Sequence, residues 1–82
     1  MKVHIRYFAS VREILGSATE IVETQAADVQ TLRQELLSRS PSHAQALSLR
    51  GLRMACDQTL CNDDTPLREG CEIAFFPPVT GG

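Results

Sequence analysis

This chain of 82 residues lacks most of what would give a small protein an activity of its own. It has no excess of positive charge: eight Lys and Arg stand against ten Asp and Glu, for a net charge of −2. A phosphate backbone calls for a basic face, so no nucleic-acid partner is expected. No apolar run approaches the roughly 20 residues that span a bilayer, so no membrane partner is expected either. The opening Met1-Lys2-Val3-His4-Ile5-Arg6 alternates charge with apolar residues, unlike a signal peptide, and the expected compartment is the cytoplasm. No Ser-His-Asp or Cys-His constellation is visible, no glycine-rich phosphate loop and no ATP site. Repeats, linkers and low-complexity stretches are absent too.

Metal-ligand patterns are equally sparse. Cys56, Cys61 and Cys71 are odd in number and their spacing is not a usual zinc pattern. In a reducing compartment such thiols commonly act as small buried hydrophobes, and all three are read that way. His4 lies on a charged strand face without a second ligand nearby in sequence. His43 has no carboxylate or nucleophile at a supporting spacing and is read as a surface residue. The acidic turn Asn62-Asp63-Asp64-Thr65-Pro66 suits backbone hydrogen bonding better than a cation. No metal is expected.

What the chain does have is one domain's worth of alternating strands and a strong helix. Its hydrophobic fraction of 43% is ordinary for a globular protein, and its length allows one small core. Residues 2–8 alternate, with Val3, Ile5 and Tyr7 on one face and Lys2, His4 and Arg6 on the other. Phe8 shares the charged parity and is expected to point away from the core. Val11, Ile14 and Leu15 make a short helical stripe that Gly16 ends. Residues 18–24 form a second strand, paired as a hairpin with the first, in which either Ile21 or Val22 could face inward. The main helix is expected from Asp28, its N-cap, to Arg39, with Val29, Leu32, Leu36 and Leu37 along the buried side and Ser40-Pro41-Ser42 as its stop. Residues 43–50 are ambiguous, with room for a further short turn. Strands follow at 52–56, 59–61 and 71–76. In the last, Cys71, Ile73 and Phe75 share one face, and Glu72, Ala74 and Phe76 the other.

The chain then closes on Phe75-Phe76-Pro77-Pro78-Val79-Thr80-Gly81-Gly82. The two prolines stiffen its base, and residues 77–82, drawn out, reach at most about 20 Å. Residues 1–76 therefore read as a domain and 77–82 as an extended flexible tail. Gly81 and Gly82 have no side chains, so the terminal carboxylate is the only reactive group at the tip.

This ending closely resembles that of the molybdopterin synthase small-subunit family, sulfur carriers of ubiquitin-like fold. Phe8-Ala9-Ser10-Val11-Arg12-Glu13, Gln58-Thr59-Leu60 and Pro66-Leu67 extend the resemblance over most of the chain, least at 40–51. It implies an α+β, ubiquitin-like β-grasp: a mixed β-sheet with one main helix packed across one face. It implies that Gly82 is adenylated and converted to a thiocarboxylate, whose sulfur goes to a pterin precursor to build the molybdopterin dithiolene. Gly81 would keep the tip narrow. The implied partners are the large subunit, which holds the catalytic residues, a ubiquitin-activating-like adenylyltransferase and a sulfur donor protein. No cofactor is expected to stay bound; ATP is used by the activating enzyme. Contacts are implied at Phe8, Arg12, Leu60 and Phe76, and along Pro77, Pro78, Val79 and Thr80. Other roles remain open: a carrier for thiamine thiazole synthesis, a ubiquitin-like modifier of lysines, or an interaction module with an inert tail.

Overall fold

Alternation of side-chain parity builds the sheet, and a computed structural model, which describes residues 1–78, shows how it is assembled. In chain order the elements are β1 (Lys2–Tyr7), α1 (Ala9–Leu15), β2 (Thr19–Glu23), α2 (Val29–Leu37), α3 (Pro41–Leu47), β3 (Arg53–Cys56), β4 (Thr59–Cys61) and β5 (Glu72–Phe76). The five strands lie in the order β2-β1-β5-β3-β4. Only β1 and β5 run parallel; the β1–β2, β3–β4 and β3–β5 pairs are antiparallel. Two terminal strands side by side at the centre, with a helix crossing between hairpins, make the expected ubiquitin-like β-grasp.

One sheet face is covered. Val3, Ile5, Val22, Ile73 and Phe75 project from it against Val29, Leu32 and Leu36 of α2, and all are buried. Leucine and valine at helical spacing supply the stripe that α2 lays on the sheet. Asp28 caps α2, accepting the Thr31 N–H at 2.9 Å, and that bond to the charged form holds its carboxyl below the usual range. The undecided pair in β2 resolves as Val22 inward and Ile21 outward, 63% exposed.

Two expectations need correction. The main helix ends at Leu37, two residues before Arg39, and a third helix follows at Pro41–Leu47. Ser40-Pro41-Ser42 stops one helix and starts the next: Ser40 is an N-cap, accepting the His43 N–H at 3.1 Å, and Pro41 stands in the first turn, where no N–H is needed. α3 touches both α1 and α2 and buries Ala46 and Leu47. The second correction is His43. Carried on α3, its side chain is only 16% exposed and meets the Tyr7 ring edge-on, centroids 6.5 Å apart.

The chain fold also brings to His43 the carboxylate that its local sequence lacks. Glu20 Oε1 lies 3.3 Å from Nε2, and Ser40 Oγ 2.8 Å from Nδ1. Tyr7 Oη donates to the same carboxylate at 2.7 Å and Arg39 Nη1 at 2.9 Å. Burial works to raise the Glu20 pKa, but these donors outweigh it and hold the group below its ordinary value. Burial and that hydrogen bond push the Tyr7 phenol well up. Ser40 is committed to its helix cap, so the cluster closes the α3–β2 corner of the core.

Candidate docking face and tail base

The uncovered sheet face changes character along its length. At the β2 end it shows Lys2, His4 and Glu23 around one exposed apolar side chain, Ile21. Toward the C-terminal ends of β1 and β5 it turns apolar. There Phe8, Phe76, Ala74 and Ala55, with Arg6, Gln58 and Glu72, line an open groove of about 480 Å³. Phe8 is 39% exposed and stands at the N-cap of α1, where it makes no side-chain cap. A Ser or Asp there would serve the helix better. Arg6 rests its guanidinium 5.4 Å from the Phe8 ring centre and lies 3.8 Å from Glu72, so its charge is occupied at the groove's edge.

Of the residues expected at a partner surface, Phe8 and Phe76 share this groove. Leu60, 64% exposed, does not line it; it sits across Ala55 on β4 and borders a neighbouring cleft. Arg12 is exposed on α1, one turn beyond Phe8, whose carbonyl accepts its N–H at 3.4 Å. Pro77 is half-buried and Pro78 exposed. The expectations for Val79, Thr80, Gly81 and Gly82 fall outside the described residues. Sequence reasoning missed Ala55, Ala74 and Gln58 as groove residues. Alanine twice on one open face, where a long side chain would have filled the depression, was the available signal.

Gln58 is held there at a cost. β3 and β4 join through Asp57-Gln58 alone, and both have positive φ, 50° and 71°. That is the backbone of a tight hairpin turn, where Gly is favoured at the second position. Asp57 ties the turn to β5: its Oδ1 accepts the Glu72 N–H at 3.0 Å and its Oδ2 the Arg68 Nη2 at 2.7 Å. These bonds, the backbone one first, hold the Asp57 carboxyl below the usual range.

The second cleft, about 420 Å³, is bordered by Arg33, Gly51, Leu52, Arg53, Leu60 and Asp63, among others. Arg33 reaches Asp63 only at 3.9 Å. The three thiols are free, Cys71 buried and Cys56 and Cys61 half-buried. Burial, then the Asp57 charge, pushes the Cys56 thiol up to about 11, and burial raises Cys61. Both therefore stay protonated and weakly nucleophilic at neutral pH. Among the described residues no group of three or more His, Cys, Asp or Glu is placed to hold a metal, and no helix is long and apolar enough to cross a membrane.

A β-grasp domain with an apolar open face, whose central strand runs on into two prolines and a glycine pair, defines a ubiquitin-like carrier. The comparisons are more specific: the ThiS family matches residues 5–82, and the chain belongs to it. A molybdopterin synthase sulfur carrier subunit of Escherichia coli K12 is 42% identical over 80 residues, covering 98% of this chain and 99% of that one. Among solved structures, a complex of subunits 1 and 2 of the molybdopterin-converting factor from Helicobacter pylori contains a chain 28% identical, with a TM-score of 0.72 and full coverage of both. A putative molybdopterin converting factor subunit 1 from Pyrococcus furiosus is 26% identical with a TM-score of 0.81, over 96% of this chain and 99% of that one.

Proposed function

We propose that this chain is the sulfur-carrying subunit of a molybdopterin synthase, acting in the cytoplasm through the carboxylate of Gly82. The observation that carries the reading is an apolar, aromatic-walled groove on the uncovered face of β5, the strand that leads directly into Pro77-Pro78 and the Gly-Gly end. Relatives named as molybdopterin synthase sulfur carrier subunits, matched over nearly their whole length, support the same reading. A carboxylate is a poor acyl donor. Attack of its oxygen on the α-phosphate of ATP, held by an adenylyltransferase, forms the acyl-adenylate and releases pyrophosphate. A sulfur donor protein, carrying its sulfur as a persulfide, displaces AMP to give an acyl disulfide. A second thiol of the donor then attacks the donor-side sulfur, releasing the thiocarboxylate and leaving the donor as a disulfide. The sulfur attacks a side-chain carbon of the pterin precursor in the large subunit and expels the oxygen substituent that carbon carries. Water cleaves the remaining acyl–sulfur bond to return the carboxylate. Each dithiolene has two sulfurs and so consumes two charged copies.

In this scheme the chain supplies docking and reach. Phe8 and Phe76 seat the partner, with Leu60 and Arg12 at its margins. Pro77 and Pro78 stiffen the base, Val79 and Thr80 add partner contacts, and Gly81 lets the tip pass. A carrier for thiamine thiazole synthesis would share the tip chemistry and differ in the acceptor; the relatives' names place that reading second.

The test is intact mass analysis of the chain after incubation with ATP, an adenylyltransferase and a sulfur donor. The mass gain of one oxygen replaced by sulfur is expected in the native chain. It should vanish when one alanine is appended after Gly82, while the unfolding temperature stays unchanged. An appended-alanine variant that still charged and still delivered sulfur at the native rate would overturn the proposal.

A further inference from the structure

Gly51, in the turn between α3 and β3, has φ +77°. Among the described residues two other glycines have a positive φ, Gly16 and Gly70, and at each of these an added Cβ would meet nothing within 4 Å. At Gly51 the same Cβ would stand 3.1 Å from Pro78 Cγ, 3.4 Å from Cβ and 3.6 Å from Cδ. The turn is thus in contact range of the proline ring itself. The sheet register explains why. β3 and β5 pair Arg53 with Phe76, Met54 with Phe75 and Ala55 with Ala74. Continued by two residues, that register sets Leu52 against Pro77 and Gly51 against Pro78. Neither proline has an N–H to carry the ladder on. Instead the Pro78 ring faces the side of Gly51 that carries no side chain, at the point where the chain leaves the sheet.

We infer that Gly51 is a positioning residue for sulfur transfer: its bare backbone seats the Pro78 ring and so sets the heading with which the chain leaves the domain. The inference rests on the carrier reading and adds a residue of the domain to the machinery of the tip. The remaining four residues, Val79 to Gly82, drawn out in a partner's channel, make a lever of about 14 Å. The few tenths of an ångström by which a contact of 3.1 Å must give turn the base of such a lever by about 5° and displace its tip by roughly 1 Å. A misplacement of about 1 Å can cost on the order of a hundredfold in rate. A methyl at Gly51 is buttressed by backbone, and at 3.1 Å one partner must give way. Pro78 is exposed and at the end of the ladder, so it is the one that moves.

The experiment compares Gly51→Ala with Gly70→Ala, which adds the same methyl at nearly the same φ (+78°) with no neighbour within 4 Å. Both should lower the unfolding temperature through the positive φ they share, Gly51→Ala somewhat more because of its contact with Pro78. In assays run well below it, Gly70→Ala should form thiocarboxylate and deliver sulfur at close to the native rate. Gly51→Ala should lose about tenfold or more in kcat at each step, with KM for the carrier changed far less, because the docking groove is untouched. Placed in a Pro78→Ala background, which removes the ring, Gly51→Ala should have a much smaller effect. Equal kcat for the two glycine variants, or a Gly51→Ala loss just as large without the ring, would overturn the inference and leave the carrier reading standing. A native chain that acquires no thiocarboxylate would overturn both.

Discussion

The two faces of the sheet are written in the same strands, one residue out of step, and they obey different rules. On the covered face β1 presents Val3, Ile5 and Tyr7 and β5 presents Ile73 and Phe75, all 0–2% exposed. On the open face the same strands present His4 and Arg6, and Ala74 and Phe76, with Phe8 just past the end of β1. Folding alone accounts for the first set, since burial of large apolar side chains is what stabilises so small a domain. It does not account for the second. Phe8 at an uncapped helix start, a bare alanine pair and a strained glutamine turn are poor choices for a solvated face, and they gather round one groove. Where local rules fail together in one place, a function is the usual reason.

Adjacent phenylalanines offer the sharpest way to break that comparison, and the largest effect. Phe75 is 0% exposed and stacks with Tyr7, ring centres 6.3 Å apart. Phe75→Ala should cost about 3–5 kcal/mol, a large share of the 5–15 kcal/mol that holds a typical domain folded. Phe76→Asp, one residue on and facing the other way, should change stability by about 1 kcal/mol or less. It should nevertheless abolish complex formation with the large subunit and the adenylyltransferase. Urea unfolding and calorimetric titration measure the two effects. Normal binding by folded Phe76→Asp would show that the open face is only surface.

The comparison also marks how far the sequence could be read. Strand parity was legible for β1 and β5 because charged and apolar residues alternate cleanly there. It failed at Ile21-Val22, where two β-branched residues adjoin and only the cross-strand pairing of His4 with Ile21 decides. α3 was hidden because Ser40-Pro41 reads locally as a stop, and its role as a start depends on Ala46 and Leu47 finding a core to enter. His43 could not be placed without that helix, nor its carboxylate partner, 23 residues earlier in the chain. That Phe8 and Phe76 share the open face was legible from parity. Leu60's place beside the second cleft, and the contact of Gly51 with Pro78, depend on which strands become neighbours, which no local pattern encodes.

Thiols sharpen the same contrast at a smaller scale. Cys71 is 4% exposed on the covered side, while Cys56 and Cys61 are half-buried nearer the edge strand. Cys71→Ser puts a hydroxyl where the thiol packs and should cost about 1–3 kcal/mol. Cys56→Ser and Cys61→Ser should cost less, since water is within reach. Because the Cys56 thiol, pushed up to about 11, is not a thiolate at neutral pH, the triple serine variant, assayed cold, should still deliver sulfur. Loss of transfer in a folded triple variant would move the carrier role from the tip to a thiol.

The smallest effect is expected at Gln58, and it should carry opposite signs in two assays. A non-glycine residue at φ 71° strains its backbone, by roughly 1–2 kcal/mol for an L-residue in the left-handed region. Asp-Gly is the pairing such a hairpin turn favours, so Gln58→Gly should stabilise the domain. Glycine's greater freedom in the unfolded chain offsets part of that gain, leaving a net of about 0.5–1 kcal/mol. Asp57 keeps its bonds to Glu72 and Arg68, so the turn stays tied to β5. The same substitution removes a side chain from the groove that Phe8 and Phe76 wall. If the open face is kept for docking, affinity for the large subunit should fall while the unfolding temperature rises. Gln58→Gly that gained stability and bound as tightly as the native chain would make the glutamine incidental, and would confine the docking site to the aromatic pair.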